Sequence, residues 1–474
     1  MRSVRLVCGG AALVLAAGLT APGGAAVGAA PPDLDRGGPG SWTKISTGGS
    51  GINFESSLHR TADGVLHVLY PRSSGADTGL AHTSISAGGA VTGQQDVLGT
   101  TWSIMDSAPV LVDGPGGGLR AVFGGQQTTS AGFWSDGRMY TATAPASGAS
   151  WTLPAEAVGD SHSAYGSYGT AATTLADGTP VAAYPLNSSI TWHVGTGAGG
   201  DQTFDVPCCA YDMTMVRDGE NVWMAWYANG TGASANGTFV RQIYPTLGPI
   251  IKAPGSSVGG DSLPAGRVAM VARAGGGVYL AYCTGYPYCE NVGLWKVGSS
   301  KVLKVPGTKY ANLVALSAGP TGRLWLAWSD NIPVVKALRT DRSVGKLGTV
   351  RNVGMPHGKA AVYSLAIEGS TGRGDVVIQV GDGFWHTQVV AALTVRGKPG
   401  VWKHGTKKQK VAFTVTDAGD AVAGAVVKVG PKHCTTKASG KCVIAFPKST
   451  KKGRLVVLAS KPGYANAKST LRVK

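Results

Sequence analysis

The sequence is poor in glutamate and in charged residues generally. Only five of its 474 residues are Glu, and charged residues make up 15%. This excludes an Ala/Glu/Lys/Leu-rich helical protein or coiled coil. Disorder is excluded as well, because 43% of the residues are hydrophobic, with 12 Trp and 15 Tyr. The 72 Gly and 25 Pro predict many turns. We therefore expect an all-β protein, with a length that suits about two to three domains.

Long apolar runs are also missing, so no convincing membrane span is expected. A run from Leu6 to Leu19 follows Arg2 and Arg5, and small residues follow it up to Ala30. This order is typical of a secretory signal peptide, which we place at residues 1–30. We expect a secreted, extracellular protein, with cell-wall association as one possibility, in an oxidising environment.

Acidic residues are scarce near the C-terminus. Residues 403–474 contain fourteen Lys and two Arg against Asp417 and Asp420 alone, and so carry most of the net charge of +17. A surface this positive attracts anionic wall or matrix polymers. The alternative is that the lysines only keep a secreted domain soluble. Specific nucleic-acid binding is not expected, because the lysines lack interleaved aromatic residues.

Seven segments of the chain repeat one pattern, in which two alternating apolar strands flank a Gly-containing turn. Their turn positions are separated by 41 to 64 residues, and each repeat has room for about four strands. These periods predict a seven-bladed β-propeller over residues 41–395, with six or eight blades as alternatives. The segments are 56–70, 108–123, 171–184, 212–227, 268–283, 312–328 and 364–380.

The seventh repeat lacks a fourth strand. Residues 41–47, SWTKIST, have the character of that strand, so we expect the N-terminal segment to close the last blade. The Asp-Gly pairs at 63–64, 113–114, 177–178 and 218–219 are interpreted as hairpin turns rather than as catalytic groups.

A linker is expected at residues 396–402, followed by a small β-sandwich at 403–474, here called the C-terminal module. The run from Val415 to Val427 and the Lys461–Tyr464 segment resemble bacterial Ig-like and carboxypeptidase-regulatory-like domains of exported proteins. The resemblance implies a module that attaches, spaces or presents its neighbour.

Six cysteines follow the predicted signal peptide. Spacing favours the pairs Cys283–Cys289 and Cys434–Cys442, which would leave Cys208 and Cys209 to each other. The alternative joins Cys208 and Cys209 to Cys283 and Cys289. Zinc binding is not expected, since no second Cys or His pair stands at ligand spacing. No metal and no cofactor are predicted.

In a propeller, the loops that precede the innermost strands converge at one face. In this sequence those positions are polar, aromatic and mainly acidic, which suits a carbohydrate: tyrosines stack on sugar faces, while carboxylates and amides bind hydroxyl groups. The predicted ligand-binding residues are Tyr168, Tyr211, Arg267, Asn312 and Tyr363.

The candidate catalytic residues are Glu55, Asp106, Asp212, His162 and His193. Glycoside hydrolysis usually needs two carboxylates across the scissile bond, and a lyase needs a base such as His. Alternatively, Asp106 and Asp212 cap the beginnings of strands, and His193 packs between blades.

The repeats resemble the sialidase-type propellers of the BNR family. The segment Ala144–Trp151 keeps the Gly and Trp of the family's S-x-D-x-G-x-x-W box but lacks its Ser and Asp. A true exo-sialidase is not expected, since the F-R-I-P-like arginine segment is absent. The resemblance implies a superfamily of glycosidases, lyases and sugar-binding propellers.

Two functions remain open at this point. The first is a secreted protein, expected to be a monomer, that binds a glycan or surface polymer and is held on anionic polymers by the C-terminal module. The second is an extracellular hydrolase or polysaccharide lyase.

Overall fold

The structure is a computed structural model. It describes residues 41–46, 55–74, 77–98, 102–104, 108–127, 137–153, 157–159, 169–186, 188–207, 209–229, 235–256, 266–285, 289–330, 334–356, 361–381, 383–405 and 408–474. The predicted signal peptide lies outside these ranges. The described residues are all-β, with small and mainly antiparallel sheets and two short 3₁₀ turns at Pro115–Gly117 and Pro320–Gly322. They belong to one compact unit, residues 34–474.

Seven four-stranded sheets follow one another along the described chain up to residue 389. Sheet 1 contains β2 (Ser57–Arg60), β3 (Leu66–Ser74), β4 (Asp77–Ile85) and β5 (Val91–Asp96). Sheet 2 contains β6 (Trp102–Ile104), β7 (Val110–Asp113), β8 (Leu119–Gln127) and β9 (Arg138–Ala144). Sheet 3 contains β10 (Ala171–Thr174), β11 (Pro180–Leu186), β12 (Ser189–Val194) and β13 (Gln202–Asp205). Sheet 4 contains β14 (Ala210–Asp218), β15 (Asn221–Asn229), β16 (Asn236–Tyr244) and β17 (Ile251–Lys252).

Sheet 5 contains β18 (Ala269–Ala272), β19 (Val278–Thr284), β20 (Asn291–Lys296) and β21 (Val302–Lys304). Sheet 6 contains β22 (Ala311–Ala318), β23 (Leu324–Asp330), β24 (Val335–Arg339) and β25 (Arg351–Gly354). Sheet 7 contains β26 (Val362–Glu368), β27 (Gly374–Val380), β28 (Gly383–Val389) and the N-terminal β1 (Thr43–Lys44).

The turns between the first two strands of a sheet follow from the Asp-Gly pairs. Gly64 and Gly178 both have a φ of +86°, a backbone conformation that glycine adopts without steric cost. The carboxylate of Asp177 accepts a hydrogen bond from the Thr179 N–H at 2.9 Å, and Asp63 accepts one from the Val65 N–H at 3.2 Å. These aspartates therefore stabilise the turns locally.

One edge strand of each of the seven sheets contacts those of its neighbours in a closed cycle. We call these the first strands, although β6 precedes β7 in sheet 2 and β1 precedes β26 in sheet 7. In order these strands are β2, β7, β10, β14, β18, β22 and β26, and β26 contacts β2 again. Hydrogen bonds tie neighbours in the cycle: the Val268 N–H donates to the Asp212 carbonyl at 2.8 Å, and the Leu111 N–H donates to Ser57 Oγ at 2.9 Å. The seven sheets are therefore grouped around their own first strands.

The N-terminal segment completes sheet 7, as the sequence predicts. Thr43 pairs with His386 and Lys44 with Trp385 in antiparallel register. The carbonyl of Ile45 also accepts hydrogen bonds from Thr83 Oγ1 at 2.9 Å and from the Tyr70 hydroxyl at 3.1 Å, both in sheet 1. One short segment thus joins the last sheet to the first.

A buried ionic network strengthens the same junction. Arg60 at the end of β2 donates to Glu368 and to Asp375 in sheet 7, each at 2.5 Å. Asp375 is 1% exposed, and its other oxygen lies 2.8 Å from His386 Nε2 and 2.9 Å from Gln388 Nε2. Because every charge in it has partners, this network can stay buried at the junction.

The C-terminal module consists of two further sheets around one hydrophobic core that includes Phe413, Val457 and Leu471. Sheet 8 contains β29 (Thr394–Lys398), β31 (Gln409–Asp417), β32 (Asp420–Ala421) and β35 (Lys441–Phe446). Sheet 9, in spatial order, contains β30 (Val401–Trp402), β37 (Ala467–Val473), β36 (Gly453–Ser460), β33 (Val426–Val429) and β34 (Lys432–Thr435).

The expected linker at residues 396–402 is instead part of this module. Residues 394–398 pair with β31, and residues 401–402 pair in parallel with β37. The reason is burial: Val395 and Trp402 belong to the module's core, and a Cβ at Gly397 would lie 2.7 Å from Leu471 Cδ2. Pro399 and Gly400 form the short connection between β29 and β30.

The two acidic residues of the C-terminal module both face sheet 6. Asp417 accepts a hydrogen bond from Arg339 and lies 3.4 Å from Arg323 Nη1, while Asp420 lies 2.5 Å from Arg323 Nη2. Asp417 is 1% exposed. The module is thus attached to sheet 6 by ion pairs that use both of its carboxylate side chains.

Two of the predicted disulfides are present. Cys283 is bonded to Cys289 and Cys434 to Cys442. These bonds exclude the alternative that ties Cys208 and Cys209 to Cys283 and Cys289. Cys209 is disulfide-bonded as well, and its partner lies outside the described residues. Pairing of Cys209 with Cys208 stays a prediction.

The Gly and Trp of the Ala144–Trp151 segment have a packing role. They cover a buried histidine pair in sheet 1, in which His67 Nδ1 and His82 Nε2 are 2.9 Å apart. Trp151 packs edge-on against His82 with ring centroids 5.3 Å apart, and a Cβ at Gly148 would lie 2.5 Å from His82 Cε1. Burial lowers the pKa of His67 to about 4 and that of His82 to about 3.

We predict that Arg60→Ala lowers the free energy of unfolding by about 3–5 kcal/mol, because Glu368 and Asp375 would remain buried without their cation. The more exposed pair Arg72–Asp96, with side chains 28% and 52% exposed, provides the control, and Arg72→Ala should cost about 1 kcal/mol or less. Urea denaturation followed by tryptophan fluorescence measures both. Equal losses in the two variants would contradict the role of the junction.

We predict that the histidine pair makes stability depend on pH. The pKa values of His67 and His82 are lowered in the folded state, so the unfolded chain binds protons first as the pH falls below about 6.5. Stability is therefore fully present above pH 6.5, and between pH 7 and 5 about 2 kcal/mol per histidine is lost. Thermal unfolding at several pH values measures the loss. The double variant His67→Asn/His82→Gln should reduce it, and His433→Asn, on an exposed strand, should not.

Candidate functional site: the central cavity

The first strands enclose a cavity of about 610 Å³. All seven of them contribute to its wall, so the cavity lies at the centre of the cycle of sheets. Its lining residues are Glu55–His59, Val110–Asp113, Ala171–Thr174, Met213–Arg217, Gly266–Ala272, Leu313–Leu316 with Ala318, and Ser364–Ile367. A volume of this size fits a small ligand or one end of a polymer.

The wall combines apolar side chains with polar backbone. Each first strand is the edge of its sheet, so one side of its backbone has no strand partner. Unpaired N–H and C=O groups at such an edge need hydrogen bonds from water or from a ligand. Leu58, Val216 and Leu316, which are half-buried, supply apolar surface between these edges. The cavity therefore matches a ligand that has both hydroxyl groups and apolar faces.

Arg267 spans the end of the cavity at which the first strands begin. Its Nη2 donates to the carbonyls of Ala108 and Pro109 beside β7, the latter at 2.8 Å, and its Nε lies 3.8 Å from Glu55 Oε2 beside β2. In the cycle of contacts β18 is three places from both β7 and β2. The side chain thus reaches across the ring, and Arg267 and Glu55 are only 18% and 17% exposed.

The opposite end of the cavity carries a second polar group. His59 Nε2 lies 3.3 Å from Asp113 Oδ1, and the Asp113 side chain is 63% exposed. The hydrogen bond from His59, together with the charges of His59 and Arg217, lowers the pKa of Asp113 below its ordinary value. This end therefore presents an ionised carboxylate to solvent beside two basic side chains.

Two of the predicted residues, Asn312 and Tyr363, are extra residues in irregular first strands, and Tyr211 is the last paired residue before a third irregularity. The pairing register shifts between Tyr211 and Thr214, across Asn312 and across Tyr363. Such β-bulges redirect side chains at the edges of sheets. Tyr211, Asn312 and Tyr363 are half-buried, and none of the three lines the cavity.

Asp212 also lies in the irregular part of β14, with a φ of +53°. It lines a pocket of about 20 Å³ together with Arg267. Among the predicted residues, the structure thus brings Glu55, Asp212 and Arg267 to the same end of the ring.

His193 lies away from the cavity, in the third strand of sheet 3. It is 4% exposed, and its Nδ1 is 3.0 Å from Asp201 Oδ1. A Cβ at Gly159, in the segment that follows sheet 2, would lie 2.2 Å from the same Asp201 oxygen. His193 therefore packs between sheets, which was the alternative interpretation. Asp106, His162 and Tyr168 lie outside the described residues.

Sequence reasoning missed the polar end formed by His59, Asp113 and Arg217. It assigned Asp113 to a turn and examined only the residues that precede each first strand. The missed residues lie at or near the other ends of the first strands, just before the turns. A search for charged residues at both ends of these strands would have found them.

Within the described ranges, no group of three or more His, Cys, Asp or Glu residues is arranged to hold a metal ion. The same part of the chain also contains no helix that is long and apolar enough to span a membrane.

No protein-family model matches the chain, and no curated protein matches it. The solved structures that are similar to it include the following two. A protein of unknown function from Dyadobacter fermentans DSM 18053 has a TM-score of 0.43 and 11% identity, covering 74% of this chain and 98% of that one. AofleA from Arthrobotrys oligospora has a TM-score of 0.38 and 9% identity, covering 67% and 91%. Both TM-scores are below 0.5, so neither likeness supports an inference about this chain.

We predict that Arg267→Met lowers the free energy of unfolding by about 2 kcal/mol, because charged hydrogen bonds to two backbone carbonyls are lost. The matched control is Arg217→Met at the other end of the cavity, where a loss below about 1 kcal/mol is expected. Urea denaturation measures both variants. A larger loss for the Arg217 variant would contradict the spanning role of Arg267.

Proposed function

We propose that the protein is a secreted binding protein whose seven sheets are the blades of a β-propeller. Its central cavity binds a glycan or a related surface polymer. The C-terminal module associates with anionic wall or matrix polymers and holds the propeller near them.

The closed cycle of first strands is the observation that carries this proposal. Seven four-stranded sheets, each with its first strand at the centre, suit propeller blades, and the pairing of β1 with β28 suits the usual closure of such a ring. The central cavity is then the axial site at which propellers commonly hold ligands. Its backbone edges and apolar side chains match the alternating polar and apolar faces of sugar rings.

Export is supported by the predicted signal peptide and by the two disulfides, which persist in oxidising surroundings. Anchoring is supported by the charge of the C-terminal module. Its two Asp side chains are used against sheet 6, so the surface that it presents elsewhere is almost wholly basic.

The test is binding of the full mature chain to a panel of bacterial and plant polysaccharides, with products analysed by mass spectrometry. We expect retention of a polymer without turnover. Asp113→Asn should weaken that binding about tenfold, because a charged hydrogen-bonding group at the exposed end of the cavity is lost. Asp177→Asn, at the equivalent turn of sheet 3 but outside the cavity lining, is the matched control and should bind like the wild type.

The same incubation tests the alternative of a hydrolase or lyase. Products with an added water would indicate a hydrolase, and unsaturated products would indicate a lyase. Either result would contradict the binding proposal and would direct mutation to Glu55 and Asp212. Equal weakening by Asp113→Asn and Asp177→Asn would contradict the assignment of the cavity as the binding site.

A further inference from the structure

Sheet 9 of the C-terminal module has one face in the core and one face in solvent. Along β36 and β37 buried and exposed residues alternate, with Val457 and Leu471 inside. We call the exposed side the outer face of sheet 9; it is formed by Val401, Lys428, His433, Arg454, Val456, Leu458, Lys468, Thr470 and Arg472. Four of these residues are Lys or Arg, and none is acidic.

Two cations on this face are placed directly opposite each other. Arg454 pairs in register with Arg472 on the neighbouring strand. Like charges directly opposite each other in a sheet are destabilising. Among the described residues, none of the four has an acidic side chain within salt-bridge distance. A ligand that carries negative charge would remove this repulsion.

The outer face of sheet 8 is basic as well but has a different arrangement. Arg396 lies opposite Thr414, Lys398 opposite Ala412 and Lys410 opposite Ala445. Its cations are therefore separated by neutral residues, as expected of side chains that only interact with water. A pair of cations in direct register is thus found on the outer face of sheet 9 and not at these positions of sheet 8, so it does not simply follow from the module's overall charge.

Apolar side chains lie between the cations of sheet 9. Val401, Val456 and Leu458 are 48%, 44% and 47% exposed. Leu458 is directly opposite Lys428 on one side and Lys468 on the other. A partner that contacts this face therefore offers aliphatic carbon between its anionic groups.

We propose that the outer face of sheet 9 binds a phosphodiester-linked polyol polymer, with Arg454 and Arg472 on one phosphate and Lys428 and Lys468 on a neighbouring part of the chain. This inference rests on the proposed association of the module with anionic polymers, and it assigns the face and the chemistry. A tetrahedral phosphate can accept hydrogen bonds from two guanidinium groups in different directions. The aliphatic carbons of the polyol then lie against Val456 and Leu458.

A nucleic acid is the less suitable phosphodiester polymer. The residues that form the outer face include no Phe, Tyr or Trp, so it offers no surface on which bases can stack. The observations therefore favour a polymer whose phosphates are joined by polyol units.

The test is calorimetric titration of the full mature chain with poly(glycerol phosphate) at two salt concentrations. The variant Arg454→Gln/Arg472→Gln should bind at least ten times more weakly, and its dependence of log K on log salt should fall by about 2. The matched control is Arg396→Gln/Lys398→Gln, which removes the same charge from sheet 8. All four positions are exposed, and thermal unfolding verifies that both variants fold.

The expected result is a large loss for the sheet 9 variant and a loss below about threefold for the sheet 8 variant. Equal losses would overturn the inference and leave only diffuse attraction by the module's charge. Tighter binding of polygalacturonate or single-stranded DNA than of poly(glycerol phosphate) would also overturn it. If the wild type binds none of the three polymers, the proposed function of the module fails together with this inference. If the wild type binds a polymer but the two variants lose affinity equally, only this inference fails.

Discussion

The ionic network around Asp375 is the interaction on which the arrangement of the seven sheets depends. A cycle of sheets built from one chain has to join its last member to its first. Here the guanidinium of Arg60 reaches from sheet 1 to two carboxylates in sheet 7, and β1 pairs with β28 at the same place. Burial raises the strength of these contacts and equally the cost of losing one partner. The contacts at this junction therefore depend on one another, because losing one leaves its partner buried and unpaired.

Closure also creates the cavity. Because each sheet directs one edge strand to the centre, seven strand edges meet there, and hydrogen bonds such as that from the Leu111 N–H to Ser57 Oγ satisfy only some of their backbone groups. The structure spans one end of this space with Arg267, whose donors match carbonyls that belong to the opposite side of the ring. The other end keeps an exposed carboxylate between basic side chains. The two ends of the cavity thus differ in exposure.

A second ionic attachment defines the C-terminal module. Its two acidic side chains are used against Arg323 and Arg339 of sheet 6, and Arg339 also stacks over Trp325 and Tyr464, with its guanidinium carbon 5.4 Å and 5.5 Å from their ring centroids. The attachment has an electrostatic consequence. It orients the module and at the same time removes its carboxylates from the free surface, which makes the remaining surface more uniformly basic than the composition alone indicates.

The sequence by itself determined the all-β fold, the Asp-Gly turns, the closing N-terminal strand and two disulfides. These features are local or repeated along the chain. Alternation of apolar residues predicts strands, glycines predict turns, and the spacing of cysteines predicts the two local disulfides. Only the tertiary structure decided that residues 396–402 belong to sheets 8 and 9, because their burial depends on strands as far as 71 residues later in the chain. The same holds for the site. That Arg267 reaches Glu55 and the carbonyl of Pro109 follows from contacts between sheets, and no local pattern in the chain records which sheets face each other.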